Sequence, residues 1–326
     1  VYVSPNGADS NPGTLEQPFR TVQKAIDTLQ PGQTALLRGG NYNRAECVGA
    51  TDSGSASGGH VTLKAYPGET PVLSASSDGV LYIDCDYLRV EGLTIRGPGN
   101  VGGTLVYGVG GSDHIQLVGN EVTGSVCQGI YTEDTTANYE ILRNRIHDNG
   151  TSACDRQAHG IYLEGNNHLV ANNLIYNHPE GFGIQHYPQG NNARIIGNTI
   201  THSGHGGIVI GGSRGVSGAT VVNNIVAHNG SYGIDRDSSA PSSCSIHHNL
   251  AYANGTANYD SGWPAGCLGT NLAGNPLFLD LAARNLAVQA TSPAVNAGDP
   301  NNTISPAYDG TTRPIGNAPD IGAHER

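Results

Sequence analysis

Short apolar strands separated by polar corners recur along most of this chain. The corners carry asparagine in LVGNEV (Asn120), ILRNRI (Asn144), VANNLI (Asn173), IIGNTI (Asn198), VVNNIV (Asn224) and SIHHNLA (Asn249), spaced 24 to 29 residues apart. Gly92 in RVEGLTI continues the series backward. A second marker runs between the asparagines: Gly129-Ile130, Gly160-Ile161, Gly183-Ile184, Gly207-Ile208 and Gly233-Ile234. A repeat of this length with three short strands and no helical periodicity specifies a β-solenoid. Its alternating Ile, Leu and Val point inward and their neighbours point out. Asparagine suits the corner because it tolerates left-handed backbone and its amide can bond the equivalent asparagine one coil away. The pattern predicts an all-β, right-handed parallel β-helix of about ten three-strand turns.

A solenoid exposes its core at both ends and needs caps. In TVQKAIDTL (21–29), Val22, Ala25, Ile26 and Leu29 share one helical face and Thr21 is placed to cap the N-terminus. The expected organisation is one domain, 1–326, with a cap over 1–31, coils over 32–270 and an irregular tail over 271–326 packed on the helix.

Composition narrows the setting. The 326 residues include 47 glycines, only 13% charged residues and a net charge of −11; the lysines are Lys24 and Lys64. No basic run exists to bind nucleic acid, and no apolar stretch approaches a bilayer span. The chain starts at Val1 and contains no methionine, the pattern expected when a secretory leader has been removed. Six cysteines without zinc-site spacing favour disulfides in an oxidising compartment, paired Cys47–Cys85, Cys127–Cys154 and Cys244–Cys267. The sequons at Asn149, Asn229, Asn254 and Asn301 are candidate surface glycosylation sites. A secreted monomer acting on a polysaccharide or oligosaccharide is the expectation.

The stretch YVSPNGADSNPGTLEQPFRTVQKAIDTLQPGQTALLRGGNY (2–42) resembles the opening of many secreted β-helix proteins of the pectate-lyase-like superfamily. SPAVNAGDP, DGTTRP and PDIGAHE (within 292–325) resemble the closing segment of bacterial extracellular β-helix proteins. The resemblance implies the same fold and polysaccharide chemistry. The superfamily hosts lyases, hydrolases, epimerases and adhesins, so the activity must come from the site.

In register, the Gly-Ile strands read GIYTED, GIYLEG, GIQHYP, GIVIGG and GIDRDS. Outward positions are then Tyr131 and Glu133, Tyr162 and Glu164, Gln185 and Tyr187, Val209 and Gly211, and Asp235 and Asp237. His186 and Arg236 fall inward by parity, with a twist at the strand end expected to surface them. Loops 147–159, carrying Arg156 and His159, and 176–182, carrying His178 and Glu180, lead onto this face. Aromatic rings offer apolar faces to sugar rings, so a cleft is expected near residues 130–240. Tyr131, Tyr162, Gln185, His186, His205 and Arg156 are its substrate-binding candidates. His147, His202 and His228, with Tyr176 as their equivalent, are read as a structural ladder, as are His247 and His248.

Three chemistries fit that face. β-Elimination from a uronate needs its carboxylate neutralised, a base and an acid. Ca²⁺ held by Glu133, Glu164, Asp235 and Asp237 would neutralise it, while Arg236 or the Tyr187/His159 pair would move protons. One pectate-lyase family that the N-terminus resembles uses a lysine base on a central coil, and no lysine follows Lys64 here. Hydrolysis would instead use a carboxyl pair, Glu133 with Glu164 or Glu164 with Asp235. SGHGGIVIGG (203–212) is similar to the Gly-His-Gly-Ile motif of polygalacturonase-type hydrolases, with His205 at the histidine, although Gly207 is extra and the preceding coil lacks that family's paired aspartate. A non-catalytic carbohydrate-binding or adhesion solenoid is the third possibility. The lyase is the primary expectation.

Overall fold

The computed structural model describes residues 1–75, 79–99, 103–154, 158–237 and 239–326. Among these residues, three parallel sheets of ten, nine and ten strands wind into a right-handed β-helix. One coil shows the plan. Glu140–Leu142 lies in the first sheet, Arg145–His147 in the second and Ile161–Leu163 in the third, and Leu169–Ala171 then re-enters the first. The inner column of the third sheet runs through Ile130, Ile161, Ile184, Ile208 and Ile234, which pair in the expected register.

The asparagines stack as an internal ladder. Asn120, Asn144, Asn173, Asn198, Asn224 and Asn249 are buried, and each side-chain oxygen accepts from the backbone N–H of the residue one coil earlier, as Asn173 does from Asn144 at 2.7 Å. Their amide groups run on to the next oxygen and to a carbonyl, Asn173 Nδ2 reaching Ile141 O at 2.8 Å and Asn198 Oδ1 at 2.9 Å. Left-handed backbone belongs to the residue before each of them: Gly119, Arg143, Asn172, Gly197, Asn223 and His248. Gly92 joins that left-handed column, and Leu93 takes the ladder position, donating its N–H to Asn120. The sequon asparagines Asn149 and Asn229 are not surface sites. They are buried in a second ladder, accepting from Ser125 N and Ser203 N at 3.0 Å, and half-buried Asn254 extends it.

The N-terminal cap forms as the helix Val22–Ile26, with Thr21 accepting from Lys24 N and Val22, Ala25, Ile26 and Leu29 buried. All three disulfides join the expected cysteines. Asn271 prolongs the ladder by one rung, and Leu272–Ala273 adds a last strand to the second sheet. The tail beyond it folds back. Phe278, Leu286, Val288, Ala294, Ile321 and Ala323 form a second core with Leu174, Tyr176, Ile225, Ala227 and Leu250 on the outer face of that sheet. The left-handed corner residues also hold it: Asn172 Nδ2 donates to Ile304 O and Pro306 O at 2.8 Å, and Asn223 Nδ2 to Asp299 O and Asn302 O at 3.0 Å.

The histidine column differs from expectation. His147 is level with Tyr176, onto which it stacks at 4.9 Å. His202 and His228 sit one residue later, at left-handed turns beyond Thr201 and Ala227. His247 and His248 continue neither column.

Candidate active site

The third sheet carries the outward face. Parallel strands repeat every 4.8 Å or so, close to the thickness of stacked rings, so a tyrosine kept at one outward position on successive strands must pile up. Tyr107 stacks on Tyr131 with centroids 5.2 Å apart, and Tyr131 on Tyr162 at 5.0 Å. Tyr82 meets Tyr107 edge-on at 6.0 Å. These rings, with Arg44, Thr104, Gln128 and Glu164, line an open groove of about 580 Å³. It begins several coils before the expected 130–240 stretch and overlaps it only at Tyr131, Tyr162 and Glu164. Tyr82 and Tyr107 were missed because their strands, VLYID and LVYGV, lack the Gly-Ile marker.

The second outward position supplies acid. Tyr107 Oη donates to Glu133 Oε1 at 2.5 Å, and Tyr131 Oη to Glu164 Oε1 at 3.0 Å. Burial, helped by the carboxylates they touch, pushes both tyrosine hydroxyls up and holds them neutral. Glu164 is only 5% exposed. Burial raises its pKa, opposed by the Tyr131 hydroxyl and by Arg214 and reinforced by Asp134 and Glu133. Arg214, from the turn after the strand Gly206–Ile210, reaches back to Glu164 Oε2 at 3.4 Å and Asp134 Oδ2 at 3.5 Å. Sequence reasoning missed Arg214 because its loop comes two strands after Glu164 in the third sheet. Its side chain is 55% exposed, so the guanidinium can meet a ligand.

Other expected residues fall elsewhere. Gln185 is level with Tyr162, and half-buried Tyr187 follows Glu164 on the second outward column, its N–H bonded to Leu163 O. His159 is 1% exposed, and its Nδ1 accepts from Phe182 N at 3.1 Å. Burial, with His178 and His205 nearby, lowers its pKa to about 3. It is a neutral wall behind Tyr162 and Gln185, not an open acid. His186 keeps its inward parity. It is level with Leu163 and Ile210, fully buried, and lowered by burial to about 4, so it cannot reach a sugar. His178 is likewise buried at the end of the strand Leu174–His178, and only 179–181 remain as a tight turn before the strand Phe182–His186. His205 touches the Phe182 ring edge at 5.8 Å, before the strand and off both outward columns. Arg156 lies outside the described residues.

Arg236 is level with Ile210 and pairs with Asp260 Oδ2 at 3.4 Å. Asp235 and Asp237 share that far end, three rungs or about 14 Å from Glu164. Burial first, and the repulsion of Asp260 second, raise Asp235 to about 6. The four carboxylates expected to hold Ca²⁺, Glu133, Glu164, Asp235 and Asp237, form no common cluster at this spacing. Where Asp134 and Glu164 do approach each other, a guanidinium stands with them, and these residues do not fit a calcium ion.

Residues 1–265 match the family described as the Pel9A-like, right-handed β-helix region. Pectate lyase PEL9 of Emericella nidulans is 33% identical over 179 residues, 47% of this chain and 42% of its own length. Pectate lyase L of Paenibacillus polymyxa is 30% identical over 204 residues, 56% of this chain and 44% of its own. The chain thus spans less than half of these relatives. A crystal structure of pectate lyase Pel9A superposes with a TM-score of 0.57 at 16% identity, over 100% of this chain and 96% of that one, which is a likeness of fold.

Proposed function

Because the chain belongs to the Pel9A-like right-handed β-helix family, we propose that it is a secreted polysaccharide lyase whose tyrosine-lined groove cleaves a uronate-containing chain by β-elimination. The observation that carries this reading is the Arg214–Glu164 pair at the end of the tyrosine stack. Three disulfides suit an oxidising, extracellular setting.

Sugar rings lie over Tyr82, Tyr107, Tyr131 and Tyr162, and a uronate carboxylate exchanges for a carboxylate partner of Arg214, which then stabilises the charge that develops on it. Glu164, its basicity raised by burial, takes the proton from the carbon bearing the carboxyl group. That electron pair forms the new double bond, the bond to the glycosidic oxygen breaks, and the leaving oxygen takes a proton from the Tyr187 hydroxyl, one rung away. Gln185, backed by His159, orients the sugar beside Tyr162. Calcium has no part in these steps.

A second reading is hydrolysis by Glu133 and Glu164, favoured by their neighbouring rungs, about 4.8 Å apart, close to the spacing of a retaining pair. Carboxyl reduction of the polysaccharide separates the two. Elimination requires the uronate, so a carboxyl-reduced chain should be inert while its parent is cleaved. Equal cleavage of both would overturn the lyase. Retention of either polymer without cleavage would favour a binding solenoid.

A further inference from the structure

The last asparagine corner carries two histidines, and the tail brings an aspartate to them. His247 ends the strand Cys244–His247, and His248 turns the corner in left-handed backbone. Their Nδ1 atoms lie 2.9 Å apart, and His247 Nδ1 is 3.9 Å from Asp299 Oδ2. One ligand atom from each falls within 4.8 Å of the others, which no other group of three or more His, Cys, Asp or Glu achieves among the described residues.

Asp299 is held in place before any ligand arrives. It is 8% exposed, its Oδ1 accepts from Asn301 N at 2.9 Å and its Oδ2 from Asn302 Nδ2 at 2.8 Å. Its own N–H donates to Asn223 Oδ1 at 2.7 Å, anchoring it to the solenoid. Two imidazole Nδ1 atoms facing each other satisfy one hydrogen bond in a single tautomer. The same separation suits two ligands of one ion: metal–nitrogen bonds of about 2.0–2.1 Å put adjacent donors about 2.9 Å apart at a right angle and about 3.4 Å apart in a tetrahedron.

We propose that His247, His248 and Asp299 form a site for a divalent transition-metal ion, which ties the C-terminal tail to the coils. Two imidazoles and one carboxylate suit Zn²⁺, Ni²⁺ or Cu²⁺, whereas Ca²⁺ prefers an all-oxygen shell. Both histidines are only half-buried, leaving water a path to complete the coordination. The site sits where the first sheet turns into the second, away from the groove on the third. It is therefore independent of the proposed cleavage.

Titration of Zn²⁺ into chelator-stripped protein, followed by calorimetry and thermal unfolding, tests this. One equivalent should bind and raise the melting temperature, because an ion that binds only the folded state stabilises it. His248→Asn keeps a residue that tolerates the left-handed corner and should weaken binding more than about 100-fold, beyond the usual cost of losing an outer-shell partner. Asp299→Asn should also bind more weakly, and it serves if the corner variant fails to fold. Absence of Zn²⁺ uptake would overturn the site in favour of a plain imidazole hydrogen bond. Unchanged affinity in the folded variants would overturn it as well.

Discussion

Replacing Tyr131 with phenylalanine isolates the role of Glu164. The ring remains stacked between Tyr107 and Tyr162 at 5.2 and 5.0 Å, so the surface offered to sugar is preserved. What is lost is one hydroxyl, 3.0 Å from Glu164 Oε1. That bond favours the charged carboxylate and opposes the upward push of burial. A hydrogen bond to an ionised group contributes about 1.5–3 kcal/mol. At 1.36 kcal/mol per factor of ten, its loss should favour the protonated form of Glu164 by about ten- to a hundredfold. The base form is then depleted at acidic pH, so the acidic limb of the kcat/KM profile should move to higher pH. The plateau above it should change little. The assay is the rate of unsaturated-product formation across the pH range. A limb that stays in place while the rate falls equally at every pH would refute Glu164 as the base and make the hydroxyl a direct sugar contact.

Arg214→Gln should raise KM for a uronate polymer at least about tenfold, since a charge-assisted pair is replaced by a neutral contact, measured by initial rates against substrate concentration. Asn173→Ala removes bonds to Asn144 N, Asn144 Nδ2, Ile141 O and Asn198 Oδ1 from a fully buried rung. A cost of about 3–5 kcal/mol is expected in urea unfolding, with the slope unchanged. Asp235 has its folded pKa raised from 3.8 to about 6, so its favourable contribution is complete below 3.8 and is lost as pH rises through 6. Asp235→Asn should remove that part of the decline, seen by comparing melting temperatures across this window. Serine at both Cys244 and Cys267, which close a 23-residue separation, should destabilise the chain by about 2–4 kcal/mol in the same urea assay.

The repeat was legible because two physical constraints act on every coil. Inner Ile and Val columns must alternate, and a buried amide must find partners above and below, so Asn120 to Asn249 mark the fold directly. The left-handed position was harder to locate, since Gly, Asn, Arg and His all occupy it and nothing distinguishes it from its neighbour without φ. Parity placed Tyr131, Tyr162, Gln185 and Asp235 outward, and it placed His186 inward, where it stayed despite the expected twist. Arg236, level with inward Ile210, instead keeps a partly exposed side chain paired with Asp260. His159 misled because a histidine beside a strand looks the same whether its ring faces sugar or Phe182. Arg214 could not be found by register, as its reach depends on how the 211–214 turn lies across two coils. The tail's resting place did leave a signal. From Leu174 onward the outer face of the second sheet becomes mostly apolar, with Ile225 and Leu250 following Thr199 in a column where earlier coils carry Glu121 and Arg145.

The most direct test of elimination at the Arg214–Glu164 pair counts two products of one digestion. Cleavage of a uronate polymer should create one unsaturated chain end, seen by ultraviolet absorbance, for each new reducing end, and Glu164→Gln should abolish both together. New reducing ends without the chromophore would contradict elimination and identify a hydrolase.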